Sequence, residues 1–287
     1  MNAIETRNLT KNYGRTTALD SVSIALEPNK IIGLLGRNGA GKTTLLNIIA
    51  NKVFSTSGDA LVFGEPASEN ERAQSRLFYM TEINLYPAGM RVRDAMRWTK
   101  AFYPDFDTDY AAGLYAKFAL DMKKKVKELS TGYGSIFKAV LALASGADIL
   151  LFDEPVLGLD AGHRELFYRE LLARYGAKPC TVVISTHLID EVAEALEEAV
   201  IIKRGRVMLH QSVEDLLATA CSVSGEAMAV DEFATGRPII AAEALGRFKS
   251  VTLQEALTAD DAARARQLGL DVTKPSLQQL FIDLTNE

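Results

Sequence analysis

The 287-residue chain is poor in the residues that build metal centres and covalent staples, with two cysteines, three histidines and one tryptophan. Cys180 and Cys221 match no metal-ligand spacing and cannot form a disulfide framework, so both are expected to be reduced core residues. No run of about 18 apolar residues occurs, which excludes a helical bilayer span. The longest apolar segments, Ile31–Leu35 and Ile149–Phe152, are of strand length. Met1–Tyr13 carries Glu5, Arg7 and Lys11 among its apolar residues and lacks the uninterrupted core of a secretory signal. A basic stripe is missing as well. The formal net charge is -5, so nucleic acid is not an expected partner. With 48% hydrophobic and 24% charged residues, the chain has the make-up of an ordinary globular protein, and the cytosol is the expected compartment.

Apolar strand-like runs alternate with helical stretches. Ile31–Leu35 is followed by Lys42–Ala50, and Lys138–Ala144 by Ile149–Phe152, Gly162–Arg174 and Thr181–Ser185. Continuous rather than alternating apolar strands predict a mostly parallel α/β sheet buried on both faces. From Tyr86 to Leu129 the pattern turns helical, which predicts a helical subdomain (about 86–145) inserted into an α/β body spanning 1–220. Beyond it, 221–287 reads as a small α+β appendage. Its short β-like pieces are Ala227–Val230, Ile239–Ala241 and Val251–Leu253, followed by helices at Asp260–Gln267 and after Ser276. Ser276 and Gln279 make an S-x-x-Q capping pattern, with Leu277, Leu280, Phe281 and Leu284 on one face.

Gly36-Arg37-Asn38-Gly39-Ala40-Gly41-Lys42-Thr43 fits G-x-x-x-x-G-K-[ST], with Thr44 continuing the helix. Glycines let backbone N–H groups turn inward onto phosphate oxygens, and the following helix points its positive end at the anion. Lys42 adds a full charge, and the Thr43 hydroxyl suits Mg²⁺. By chance, such a pattern turns up in about 1% of chains of this length. The loop therefore predicts a nucleotide-phosphate site with Gly36 through Thr44 as contacts, and by itself does not distinguish kinases, GTPases, recombinases and transporters.

Ile149–Phe152 ends in Asp153-Glu154, an acidic pair at the edge of an open sheet where ligands bind. Asp153 is the natural Mg²⁺ partner of Thr43, leaving Glu154 to deprotonate the attacking water. His187 ends a second apolar run, Thr181–Thr186, where it can meet the γ-phosphate or the water. His163 and His210 stand in polar surroundings and read as surface residues.

The ordered set resembles the ABC-transporter ATPase family over roughly residues 1 to 218. Leu129-Ser130-Thr131-Gly132-Tyr133 is similar to that family's LSGGQ signature and opens a helix, with Ser130 lying 23 residues before Asp153. Pro155–Asp160 resembles its D-loop, His187 its switch histidine, and Tyr13 the aromatic that stacks on adenine. The resemblance implies two domains packed head to tail. Each ATP then lies between one P-loop and the partner's signature, so Ser130 and Gly132 act in trans. It also implies an integral membrane permease as partner and a place at the cytoplasmic face of the membrane. Glu82 stands where the family has a glutamine that faces Mg²⁺. Thr131 and Tyr133 depart from the signature, and Val156 and Leu157 replace polar D-loop residues. Tyr86-Pro87, Phe102–Asp107 and Leu280–Thr285 resemble ABC-2-type exporters, whose ATPases are separate chains. The alternative is a soluble ABC ATPase without a transport role. The ribosomal type would show two motif sets and the DNA-repair type long heptad arms, and neither occurs here.

Two other features carry no expectation of chemistry. Asp105, Asp107 and Asp109 mimic a calcium loop, but Tyr110 and Ala116 occupy the positions that need glycine and glutamate. Lys123, Lys124, Lys125 and Lys127 read as a solvated face.

Overall fold

In the computed structural model, which describes residues 1–286, the chain divides into two compact units. One is Met1–His187 with Val200–His210; the other is Leu188–Ala199 with the chain from Gln211 onward.

The first unit opens with two long strands, β1 (Ile4–Tyr13) and β2 (Thr16–Leu26), then β3 (Ile31–Leu35) and α1 (Lys42–Ile49). β4 (Ser57–Val62), β5 (Glu65–Pro66), α2 (Glu71–Gln74) and β6 (Leu77–Met80) follow. Three helices come next: α3 (Val92–Phe102), α4 (Thr108–Lys117) and α5 (Thr131–Ala144). β7 (Ile149–Asp153), α6 (Ala161–Ala177), β8 (Thr181–Ser185), β9 (Glu198–Lys203) and β10 (Arg206–Ser212) complete the two sheets. One sheet has the order β2-β1-β4-β5, the other β10-β9-β3-β8-β7-β6.

Every residue of β3, β7 and β8 is buried, as their unbroken Ile, Leu and Val content requires of strands covered on both faces. β3, β8, β7 and β6 run parallel, so their C-terminal ends share one edge. The register pairs Leu34 with Ser185, Ser185 with Asp153, and Met80 with Phe152. Adjacent strands lie about 4.8 Å apart. Pairing alone therefore draws Gly36, His187, Glu154 and Glu82, each within two residues of a strand end, onto one line.

α5 begins at Thr131, inside the Leu129–Tyr133 segment expected to open a helix. Ser130 caps it by accepting from the Tyr133 N–H at 3.3 Å. Ser135 through Ala144 are all buried, so tertiary packing carries the helix past its Gly-rich start.

The second unit contains α7 (Ile189–Val192), α8 (Val213–Ala218), β11 (Cys221–Glu226), α9 (Ala227–Ala234), β12 (Ile239–Leu245) and β13 (Phe248–Leu253). α10 (Ala259–Gln267), β14 (Asp271–Thr273) and α11 (Leu277–Thr285) end it. Its antiparallel sheet has the order β12-β13-β11-β14. Val223, Val230, Phe233, Val251, Leu253 and Ala265 form a core of their own. Ala227–Val230, expected as a strand, is the first half of α9. Its Val230, Phe233 and Ala234 are buried at i, i+3 and i+4, a helical period that a four-residue window is too short to display. At α11, Ser276 accepts from the Gln279 N–H, but the Gln279 side chain donates to Asp283 Oδ1 at 2.7 Å instead of closing a capping box. Leu277, Leu280, Asp283 and Thr285 are the buried residues, with Phe281 and Leu284 only half-buried.

Candidate functional site

The loop after β3 is shaped by its glycines. Gly39 and Gly41 adopt φ of 80° and 112°, a region that side chains disfavour. A Cβ on Gly41 would lie 2.6 Å from the Ala18 carbonyl oxygen of β2, so the loop backs directly onto that strand. α1 starts at Lys42 with no side-chain cap, which leaves its first N–H groups and their partial positive charge for an anion. Lys42 is buried and donates from Nζ to the Gly36 carbonyl at 2.6 Å and the Arg37 carbonyl at 3.4 Å. Burial pushes the Lys42 pKa down, and the charges of Glu154 and Asp153 oppose that shift. A cation folded onto its own loop, beside two acids, needs only a side-chain swing to meet phosphate. Arg37, Asn38, Gly39 and Thr43 are exposed, while Ala40 is buried and Thr44 half-buried.

Asp153, the last residue of β7, is 4% exposed. Its Oδ2 lies 3.5 Å from the Tyr79 hydroxyl, and its Oδ1 is buried without a hydrogen-bond partner. A buried carboxylate oxygen with nothing to accept from is costly, and it fits a hard cation shared with a hydroxyl such as that of Thr43. Among the described residues no group of three or more His, Cys, Asp or Glu converges to hold a metal. Phosphate oxygens and water would complete such a shell, as is usual for Mg²⁺. Desolvation, then the charge and hydrogen bond of Asp153, push the Tyr79 phenol far up, so it is a neutral donor to that carboxylate.

Glu154 does not continue the strand. It takes φ of +52°, and its N–H donates to the Ser185 carbonyl at 2.8 Å. The left-handed turn, rather than strand alternation, separates its direction from that of Asp153. Left-handed backbone in a non-glycine residue is held only where surroundings enforce it. Here Glu154 Oε2 lies 2.9 Å from His187 Nδ1 and 3.5 Å from Thr186 Oγ1. An ionised carboxylate only accepts, so the proton of this hydrogen bond sits on Nδ1.

Tyr13, at the end of β1, is exposed, with the Lys11 ammonium 4.9 Å from its ring centroid. It pairs with Thr16, two residues before Ala18, the residue against which Gly41 packs.

The Ser130–Tyr133 segment forms the start of α5 and packs on the loop after Glu154. A Cβ on Gly132 would lie 2.5 Å from the Gly158 carbonyl oxygen, and Ser135 Oγ donates to the Leu157 carbonyl at 2.9 Å. The substitutions that set this chain apart are complementary: Val156 is buried, Leu157 half-buried, and apolar D-loop residues thus serve as packing. Asp160 caps α6, accepting from the His163 N–H and ring Nδ1, both at 2.9 Å, and these bonds hold its pKa down. His163 in turn stacks near Phe118 and meets Tyr133 edge-on. It is a bridge between the signature segment and the D-loop, not the isolated surface residue its polar sequence neighbourhood implies. Leu129 is half-buried just ahead of the cap. Tyr79, Thr186, His163 and Lys138 are site neighbours with no sequence signal of their own.

Fold and site together define a P-loop nucleotide-binding protein with a parallel sheet, a helix capped by Ser130 and a histidine bonded to the Glu154 carboxylate. Comparison with known proteins refines that class. The ABC transporter family matches residues 19–157. YtrB of Bacillus subtilis, an ABC transporter ATP-binding protein, is 31% identical over 189 residues, covering 66% of this chain and 65% of that protein. The probable multidrug ABC transporter ATP-binding protein YbhF of Escherichia coli is 31% identical over 76% of this chain and 39% of its own length. The chain thus spans less than two thirds of these relatives. A solved ATP-binding subunit of an ABC transporter shares the fold at a TM-score of 0.67 and 21% identity, covering 75% of this chain and 91% of that one. Residues 19–157 thus carry the likeness to the ABC transporter ATP-binding family.

Proposed function

We propose that the protein hydrolyses ATP in a head-to-tail dimer and drives export through a separate integral membrane subunit. The contact between Glu154 and His187 beside the phosphate loop carries this reading, because it is the arrangement a water-activating base requires. Tyr13 stacks on the base, and Gly36 through Thr44 with Lys42 take the phosphates. Thr43 and Asp153 would hold Mg²⁺, with Glu82 on the loop beside them; the ion would supply charge neutralisation on the phosphate oxygens. Glu154 accepts the proton of the attacking water while His187 Nδ1–H orients the carboxylate. Ser130, Gly132 and the positive end of α5 serve the partner's nucleotide. The motif-bearing domain is taken as 1–220, with the appendage from 221.

An apolar groove between β6, its following loop and α3 is the place offered to the membrane subunit. Met80, Ile83, Leu85, Tyr86 and Trp98 line it, and Ile83 and Phe102 are each 72% exposed. Apolar side chains this exposed mark an interaction surface. The fitting occupant is a short amphipathic helix from a cytoplasmic loop of the permease. Among the described residues no helix is long and apolar enough to cross a membrane, so attachment to one falls to that partner. The likeness to Nod factor export ATP-binding protein I of Paraburkholderia xenovorans, 27% identical over 76% of this chain, supports the reading of export. The ABC-2 subclass rests on the Tyr86-Pro87 and Phe102–Asp107 segments.

The test is to express Glu154→Gln with ATP and Mg²⁺ and to purify the wild-type chain from membranes. A stable ATP-dependent dimer and a co-purifying multi-span protein are expected. A chain that stays monomeric with ATP and partner-free in membranes overturns the proposal.

A further inference from the structure

α5 buries ten consecutive residues, Ser135 through Ala144, and Lys138 is the single charged side chain among them, at 7% exposure. Its Nζ donates to two successive carbonyls, Thr81 at 2.6 Å and Glu82 at 2.7 Å. Burial pushes the ammonium pKa down while the Glu82 charge opposes the shift. A cation in an apolar helix is costly to bury, and it persists where hydrogen bonds satisfy it.

The loop it grips needs a clamp. Between the end of β6 at Met80 and the start of α3 at Val92 the backbone has no helix, and its pairing is confined to the far end, where Arg91 bridges Lys125 and the Ala88 and Met90 carbonyls accept from Lys127 and Val126. Such segments are the first to open. The loop leaves the sheet beside Phe152, one residue before Asp153, and then carries Glu82 and the groove residues Ile83 and Leu85. At the other end of the clamp, Lys138 lies eight residues from Ser130, just over two helical turns. One ammonium therefore joins the loop that faces the metal and the groove to the helix that faces the partner's nucleotide.

We propose that Lys138 is a positioning residue that fixes the Glu82 loop to the signature helix, so that the Glu82 carboxylate stays aimed at the metal. The inference rests on the reading of Glu82 as the metal-facing group. Neither a generic core role nor general helix stability accounts for it, since an apolar side chain would fill the same space without burying a charge.

The full chain is compared as wild type, Lys138→Met, Lys138→Arg, Glu82→Ala and the Lys138→Met/Glu82→Ala double variant. Three quantities are read: amide hydrogen exchange across 81–91, Mn²⁺ retention with ATP by electron paramagnetic resonance, and kcat and KM for ATP hydrolysis. Losing two charge-assisted bonds in Lys138→Met is expected to raise exchange across 81–91 about tenfold and to lower kcat and Mn²⁺ retention by a similar factor, with KM within about twofold. Lys138→Arg keeps the donors and restores most of each. In the Glu82→Ala background, Lys138→Met adds nothing to the Mn²⁺ loss. Unchanged exchange in Lys138→Met overturns the clamp, as does Lys138→Arg behaving like Lys138→Met. If exchange rises but Glu82→Ala leaves Mn²⁺ retention untouched, the clamp stands and the metal-facing role of Glu82 is overturned. If Lys138→Met does not fold, Lys138→Gln, which keeps a neutral donor, is read against Lys138→Arg on the same scales. Equal exchange in those two then overturns the need for charge.

Discussion

His187 Nδ1 lies 2.9 Å from Glu154 Oε2, and Glu154 reaches it from a left-handed backbone position at the end of β7. The two residues belong to neighbouring strands whose register pairs Asp153 with Ser185. The dyad is thus a product of strand pairing plus one backbone reversal. Replacing Glu154 by Gln preserves shape and hydrogen bonding but removes the base. kcat is expected to fall roughly 10² to 10⁴-fold with ATP binding retained, measured by phosphate release beside equilibrium nucleotide binding. Turnover near wild type would show that another group takes the proton.

Lys42 is the buried side-chain charge of the phosphate loop, already desolvated and hydrogen-bonded to the loop's own carbonyls. Lys42→Ala removes a charge-assisted contact to phosphate, and ATP affinity is expected to drop about tenfold to a hundredfold. Titration with a fluorescent ATP analogue checks this, and an unchanged Kd would displace the nucleotide from this loop.

Gly132 faces the Gly158 carbonyl so closely that a methyl group would stand 2.5 Å from its oxygen. Alanine is the better helix former by about 1 kcal/mol, yet overpacking against backbone costs about 1–3 kcal/mol, so the clash wins. Gly132→Ala should lower the denaturation midpoint and weaken the ATP-trapped dimer of a Glu154→Gln background. A more stable protein with an intact dimer would mean that the D-loop yields freely.

Phe102 is exposed at the rim of the apolar groove. Phe102→Asp places a charge where an apolar partner surface is proposed to sit, at a desolvation cost to the interface. Co-purification of the membrane subunit should fall about tenfold or more, with the circular dichroism spectrum unchanged. Retention of the subunit would move the interface elsewhere.

Burial pushes the Cys221 thiol up to about 11, with the Glu255 charge adding to the shift. The folded state therefore holds its proton more tightly than the unfolded state does. Stability from this group is complete below the ordinary thiol pKa near 9 and is lost as pH rises towards 11. Iodoacetamide labelling of the native protein at pH 8 should be negligible and should rise on adding denaturant. Rapid native labelling at Cys221 would contradict its burial.

The phosphate loop, the acidic strand end and the capped final helix were legible because each is local. A glycine at positive φ, a strand that ends in carboxylates and a serine cap are set by a few neighbouring residues. Local windows fail where packing decides. Ala227–Val230 lies in a helix because Phe233 and Ala234, outside that short run, complete its buried face. Lys138, Tyr79 and His163 gain their meaning from groups far along the chain: the carbonyls of Thr81 and Glu82, the carboxylate of Asp153 and the ring of Tyr133. The sequence by itself determined the nucleotide chemistry, since that chemistry is written in contiguous residues. Only the tertiary structure decided which charges are buried and what they hold, because burial and register bring together atoms that no local pattern relates.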